Sequence, residues 1–262
     1  MQVDAVVLAG GLNCGPLREY SSTESEALIP IGNRPMVEYV VSALKHTPEV
    51  KRVVVAGPLS ELEKVFSATD SITLIEGGQS AVITLQMGIR ALKDEGVGTA
   101  ANGVLVTAAD IPMITPEAIS DFLQLCRQRE GDLYYPVVSK AANEYKYPGV
   151  KRTYVPMKEG LFTGGNLILI NPEIIDRCAP MAEKMVARRK DPMALSQLLG
   201  FRFLLKFLLR QLTLEEAEVK VSELLGIRGV AVISSYPEVG VDVDKPSDLQ
   251  LARRLLAKEV GI

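Results

Sequence analysis

Two rhythms alternate along this chain. Short runs rich in Val, Ile and Leu recur as DAVVLA (4–9), VKRVVVAG (50–57), SITLIEG (71–77) and GVLVTAA (103–109), each bounded by turn residues, and they read as strands. Between them lie segments of helical period. In PMVEYVVSALKHT (35–47), Met36, Val40, Val41 and Leu44 share one face, with Pro35 suited to the first turn. PLSELEKVFSA (58–68) is a second helix, and in SAVITLQMGIRALKDEG (80–96) Val82, Leu85, Ile89 and Leu92 share a face. TPEAISDFLQLCRQREG (115–131) predicts another helix, capped by Thr115 with Pro116 at its first position. Strands that are apolar almost throughout, alternating with helices, predict a parallel sheet covered on both faces. Past residue 131 the order loosens: DLYYPVVS, a polar Lys/Tyr/Pro stretch, NLILINP, VAVISS, and a last helix over 246–259. That predicts a mixed-sheet extension. One domain over 1–262 is expected, with a helical insertion at about 180–226.

Composition narrows the chemistry. The chain has 262 residues, 47% hydrophobic and 23% charged, with a net charge of -3, so it carries no general attraction to nucleic acid or an anionic membrane. Cys14, Cys126 and Cys178 are isolated, as in a reduced compartment. The opening residues lack a basic stretch ahead of an apolar core, and no apolar run reaches about 18 residues, so a cytoplasmic protein is expected. His46 is the only histidine, which excludes histidine-based zinc sites and makes a Ser-His-Asp triad a poor reading. Carboxylates, backbone groups, basic side chains or a bound metal must carry any catalysis.

Three polar features fall at predicted strand ends, where sheets of this kind bind ligands. LAGGLNCG (8–15) follows the first strand. Its Gly10-to-Gly15 spacing matches half of a P-loop, but Pro16-Leu17 replaces the Lys-Ser/Thr, leaving a phosphate cradle and a plain turn both open. Asp110 follows the fourth strand. Thr115 is better placed to cap the next helix, and an aspartate there needs a partner, a hydrogen bond or a metal. In EVGVDVDKPSDLQLA (238–252), Asp242 and Asp244 alternate with Val241 and Val243 and so share one side of an extended segment. Alone they are a solvated edge. With Asp110 they offer two or more carboxylates to a hard divalent cation such as Mg2+.

VVLAGG (6–11), EALIPIGNRPMVEYVVSAL (26–44), AADIP (108–112) and DVDKPSDL (242–249), in that order and spacing, resemble the nucleotidyltransferase family related to molybdenum-cofactor guanylyltransferases. GGQSAVITLQMGI (77–89) is similar to a glycine-rich pattern of the isoprenoid-pathway cytidylyltransferases, with Gly77, Gly78, Thr84 and Gly88 at its fixed positions. TGGNLILINPE (163–173) resembles the acceptor-side segment of the same broad family. The resemblance implies a glycosyltransferase-A-like, Rossmann-like α/β fold. It implies an NTP joined to a phosphorylated small-molecule acceptor, with pyrophosphate released and Mg2+ as cofactor. It implies that Leu8, Ala9, Gly10, Gly11, Gly77, Gly78 and Thr84 bind the nucleotide. Asp110 and Asp244 would hold Mg2+, Arg18 would act in catalysis, and Thr163, Gly164, Gly165 and Asn166 would lie by the acceptor.

The chain departs from that pattern at Glu26, where the family carries a lysine; an acid there repels a triphosphate. Ala81 stands where the cytidylyltransferases have arginine. Lys151 and Arg152 read either as acceptor-holding cations or as a solvated loop, the loop being preferred. Arg202, Lys206 and Arg210 draw a basic stripe on an otherwise apolar helix, expected to be buried on its own domain or in a homodimer contact rather than on a membrane. Three functions compete: nucleotidyl transfer, a pterin cofactor precursor being one candidate acceptor; sugar-1-phosphate nucleotidyl transfer; and a non-catalytic nucleotide-binding regulator.

Overall fold

The computed structural model describes residues 1–67, 71–94, 103–188 and 199–256. In chain order the strands are β1 (Val3–Leu8), β2 (Pro30–Ile31), β3 (Arg34–Pro35), β4 (Val50–Gly57), β5 (Thr73–Glu76), β6 (Val104–Ala108), β7 (Leu133–Ser139), β8 (Val155–Met157), β9 (Gly160–Gly164), β10 (Leu167–Ile170) and β11 (Gly229–Ser234). The helices are α1 (Met36–Lys45), α2 (Leu59–Val65), α3 (Ala81–Asp94), α4 (Pro116–Cys126), α5 (Lys140–Lys146), α6 (Ile175–Arg188), α7 (Phe201–Leu208), α8 (Leu214–Leu225) and α9 (Pro246–Leu256).

Among the described residues, nine strands form one sheet in the order β5-β4-β1-β6-β10-β7-β9-β8, with β11 also paired to β7. β5, β4, β1 and β6 run parallel, as their near-continuous apolar sequences predict. β10 is antiparallel to both β6 and β7, and β11 returns parallel to β7, which makes the expected mixed extension. The α/β architecture read from the sequence is therefore the one observed, with helices on both faces. Alternation along the central strand shows why. Val3, Ala5 and Val7 pack with α1 and α4, while Val6 packs with Leu85, Ile89 and Leu92 of α3 on the other face. Asp4 also points to that second face, where Arg52 of β4 pairs with it at 2.6 Å.

α3 lies close on β1 because Gly88 has no side chain. A Cβ there would sit 2.6 Å from Cγ1 of the fully buried Val6. Gly88→Val is expected to destabilise the fold by about 1–3 kcal/mol through overpacking. Urea unfolding checks this; unchanged stability would mean that α3 can move outward freely.

Local signals did well where caps exist. Thr115 accepts from the Ala118 N–H at 3.2 Å, as read for α4. The polar stretch after β7 holds a short helix, α5, that periodicity did not reveal; Ser139 caps it by accepting from the Ala142 N–H. The last helix reaches Leu256, and the rest of its expected span lies outside the described residues. Among the described residues, α6, α7 and α8 lie between β10 and β11.

Of the two burials expected for the basic-striped helix, the one against its own domain is not observed; the other, a homodimer contact, calls for a second copy. Leu212 is buried, but Leu205, Leu208 and Leu209 are exposed, Leu208 by 66%, so α7 is not a covered core helix. Lys206 pairs with Glu216 of α8 instead of standing free in a stripe, and Arg210 ends the turn with positive φ. The Arg202 side chain lies outside what is described. No helix among the described residues is long and apolar enough to cross a membrane.

Candidate active site

β6 ends in Ala108, and the chain continues straight into Asp110. The Ala109 N–H donates to the Leu8 carbonyl at 3.2 Å, and the Asp110 carbonyl accepts from the Val243 N–H at 2.9 Å. That second bond joins two segments remote in sequence. Val241 and Val243 are fully buried beside Leu17, Ile29, Met36 and Met113, so the extended chain must turn Asp242 and Asp244 the other way, toward Asp110. One carboxylate oxygen from each of Asp110, Asp242 and Asp244 lies within 4.8 Å of the others.

Three like charges this close disfavour ionisation. Burial, then Asp242, Asp244 and, more weakly, Glu26, push the Asp110 carboxyl up from 3.8 to about 7. Asp244 is raised by its partial burial and by Asp242. Oδ1 of Asp110 is shielded from water and has no hydrogen-bond partner. A buried carboxylate with an unpartnered oxygen, grouped with two more carboxylates, fits a hard divalent cation, which takes oxygen ligands and relieves the repulsion. Asp242 belongs to this group as fully as Asp244; the two-residue alternation was the sequence signal for it.

Arg152 corrects the solvated-loop reading. Its side chain is only 8% exposed and pairs with the Asp242 carboxylate, while also donating to the Asp242 carbonyl. It holds a carboxylate of the cluster rather than an acceptor. Lys151 is exposed, and its carbonyl accepts from Nζ of Lys245 at 3.0 Å.

The glycine segments meet on the other side of Gly11. Leu8 closes β1, the Ala9 N–H donates to Ala56, and the Ala9 carbonyl accepts from the Ser25 hydroxyl. The Gly77 N–H donates to the Gly57 carbonyl at 2.9 Å, bringing the ends of β4 and β5 together. Gly10, Gly57, Gly77 and Gly78 then line one cavity of about 570 Å³. A Cβ at Gly10 would meet nothing within 4 Å, so that backbone is open to a ligand. The cavity wall also carries Glu24, Glu61 and Glu76, and no lysine or arginine among the described residues.

Thr84 sits beneath this loop. It is 3% exposed, its hydroxyl accepts from the Gly78 N–H at 3.0 Å and donates to the Ser80 carbonyl at 2.8 Å, so it shapes the loop instead of facing the cavity. Arg18 is likewise held by its own loop: Nη1 donates to the Ser22 and Thr23 carbonyls at 3.0 and 2.7 Å. Glu26 lies against Gly11. Its N–H donates to the Gly11 carbonyl, and Oε2 comes within 3.2 Å of where a Gly11 Cβ would be. Glu26 thus lies beside the glycine loop and near enough to Asp110 to help raise its carboxyl.

The expected acceptor segment divides in two. The Asn166 carbonyl accepts from the Ala108 N–H at 2.9 Å and its N–H donates to Val239, which places it at the end of β6 near the carboxylates. Gly165 is buried and donates to Pro136, while Thr163 and Gly164 belong to β9 and pair with Val138 and Val137.

Comparison with known proteins gives a family and a fold. A family model described as the MobA-like NTP transferase domain matches residues 5–213. A hypothetical transferase from Thermus thermophilus is 36% identical and superposes with a TM-score of 0.81, covering 95% of this chain and 100% of its own. A 2-C-methyl-D-erythritol 4-phosphate cytidylyltransferase, also from Thermus thermophilus, shares the fold at 15% identity and a TM-score of 0.55, covering 98% of this chain and 100% of its own. In sequence, the enzyme of that name from Pelodictyon phaeoclathratiforme is 29% identical over 136 residues; these are 49% of this chain and 55% of the relative, so the match spans about half of each.

Proposed function

This chain belongs to the MobA-like NTP transferase family, and on that premise we propose that it transfers a nucleoside monophosphate from an NTP to the phosphate of a small-molecule acceptor, releasing pyrophosphate. The observation that carries this reading is the convergence of a glycine-walled cavity and a three-carboxylate cluster at the same end of the parallel strands. The cavity wall is acidic, so it suits a base and a ribose and repels phosphates. The triphosphate is thereby directed out along Gly10 and Gly11 toward Asp110. Asp110, Asp242 and Asp244 would hold a magnesium ion, which supplies charge neutralisation at the reacting phosphorus.

The protein's own share is positioning. The Asp110–Val243 backbone bond keeps two carboxylate-bearing segments in register, and Arg152 sets the direction of Asp242. Asn166, whose backbone bonds hold it at the end of β6, would orient an acceptor arriving from the extension. A phosphate nucleophile is already anionic near neutral pH, so no general base is needed. That agrees with a lone histidine that stands exposed at the end of α1, bonded to the Ser42 carbonyl.

NTP with Mg2+ is expected to raise the melting temperature, and much less with a chelator present. A hundredfold excess over the dissociation constant is worth about 2.7 kcal/mol by linkage. Absence of any shift with all four NTPs at millimolar concentration would sink the reading. Glu26 beside the loop favours one rival, a nucleotide-binding regulator without turnover. Pyrophosphate release across the four NTPs, with pterin phosphates and sugar 1-phosphates as acceptors, separates that rival from an enzyme and identifies base and acceptor.

A further inference from the structure

A second cavity, of about 540 Å³, lies between the sheet extension and the helices α6 and α8. Leu133 and Val137 of β7 and Ile168 of β10 contribute its sheet side, while Met185 of α6 and Val221 of α8 face them across it. Phe162 and Met157 of the β8–β9 hairpin complete an almost wholly apolar wall. Glu218, the only charged residue lining it among the described residues, is already engaged: it accepts from both Nη atoms of Arg129 at 2.7 and 2.6 Å and from the Ala231 N–H. A sugar or a free phosphate entering here would lose water without finding replacement hydrogen bonds, whereas a hydrocarbon would be favoured.

The wall of this cavity includes the start of the segment that leads to the carboxylates. Thr163 and Gly164 line it, and the chain runs on from Thr163 to Asn166 at the end of β6, a span of about 10 Å in extended backbone. One short segment therefore connects an apolar chamber to the carboxylates. The glycine-walled cavity lies beyond β1, on the nucleotide side, and among the described residues the two share no lining residue.

We propose that this chamber holds a hydrocarbon chain carried by the phosphorylated acceptor, whose phosphate then reaches toward Asn166 and the carboxylate cluster. The proposal rests on the nucleotidyl-transfer reading above and narrows its acceptor to a phosphate with an apolar tail.

The test is calorimetric titration of the full chain with farnesyl phosphate, dodecyl phosphate and glycerol phosphate, each below any micelle concentration and with Mg2+ present. Both tailed phosphates are expected to bind about tenfold or more tightly than glycerol phosphate, and their order tells a branched from a straight chain. Ala217→Trp on α8 and Ala182→Trp on α6 each place an indole in the chamber. Each is expected to weaken tail binding about tenfold while leaving the NTP-dependent thermal shift unchanged. The chain has no tryptophan of its own, so fluorescence of each variant reports whether the indole is buried. Equal affinity for the three phosphates in the unaltered protein overturns the proposal, whether or not the variants fold. So does tail binding undiminished in both folded variants, or a dimer that both variants dissociate, which would make the chamber a contact between copies. No NTP shift in the unaltered protein, with its preference for tailed phosphates intact, would instead remove the nucleotidyl-transfer reading and leave the chamber as a site for tailed phosphates.

Discussion

Asp110→Asn is expected to cut pyrophosphate release by about a hundredfold or more and, in the chelator-treated protein, to make the fold more stable. The two effects have one cause. Burial and the neighbouring Asp242 and Asp244 raise the Asp110 carboxyl from 3.8 to about 7. Between those values the folded protein keeps a proton that the unfolded chain has released. Stability contributed by this group is therefore complete below about pH 4, falls as pH rises to about 7, and stays reduced above. Asparagine removes the charge that causes the loss. At pH 8 the variant should gain about 2–4 kcal/mol over the metal-free parent, and near pH 5 appreciably less. Magnesium should restore the parent's stability and do little for the variant. Urea unfolding at the two pH values, with and without Mg2+, checks the stability half, and pyrophosphate release checks the other. A variant with normal turnover, or one destabilised equally at both pH values, would remove Asp110 from the centre of the site.

The second large effect is expected at Glu26. Glu26→Lys should tighten NTP binding by about ten- to a hundredfold, because it exchanges a negative for a positive charge beside Gly11 in a partly shielded site, a change worth about 1–3 kcal/mol. Glu26→Gln should give a smaller gain in the same direction. Both gains should shrink with added salt, as charge effects near the surface do. The backbone bond from Glu26 to Gly11 does not depend on the side chain, so the loop should keep its course. Unchanged or weaker affinity in both variants would mean that the triphosphate does not pass this carboxylate and takes its charge neutralisation from elsewhere.

What the sequence determined by itself is local. The apolar run and its pitch decide strand or helix, so β1, β4, β5 and β6 and the helices between them were legible, as was the burial of the central strands on both faces. The same period of two put Asp242 and Asp244 on one side of their segment, and the strand end put Asp110 where ligands gather. The glycine clusters marked the wall of a cavity for a comparable reason: such residues are needed wherever backbone must come close to something. What only the tertiary structure decided are the partners. Arg152 and Asp242 are 90 residues apart, and nothing local to either announces their pairing. Thr84 has a hydroxyl that suits a nucleobase contact equally well, until the loop folds over it and takes up its hydrogen bonds. The antiparallel insertion of β10 between β6 and β7, and with it the apolar chamber under α6 and α8, depends on which strand edges remain free once the parallel core has formed. Periodicity is a property of a few consecutive residues. Pairing is settled by which distant groups reach one another when the whole chain has collapsed, and a single sequence carries that information only collectively.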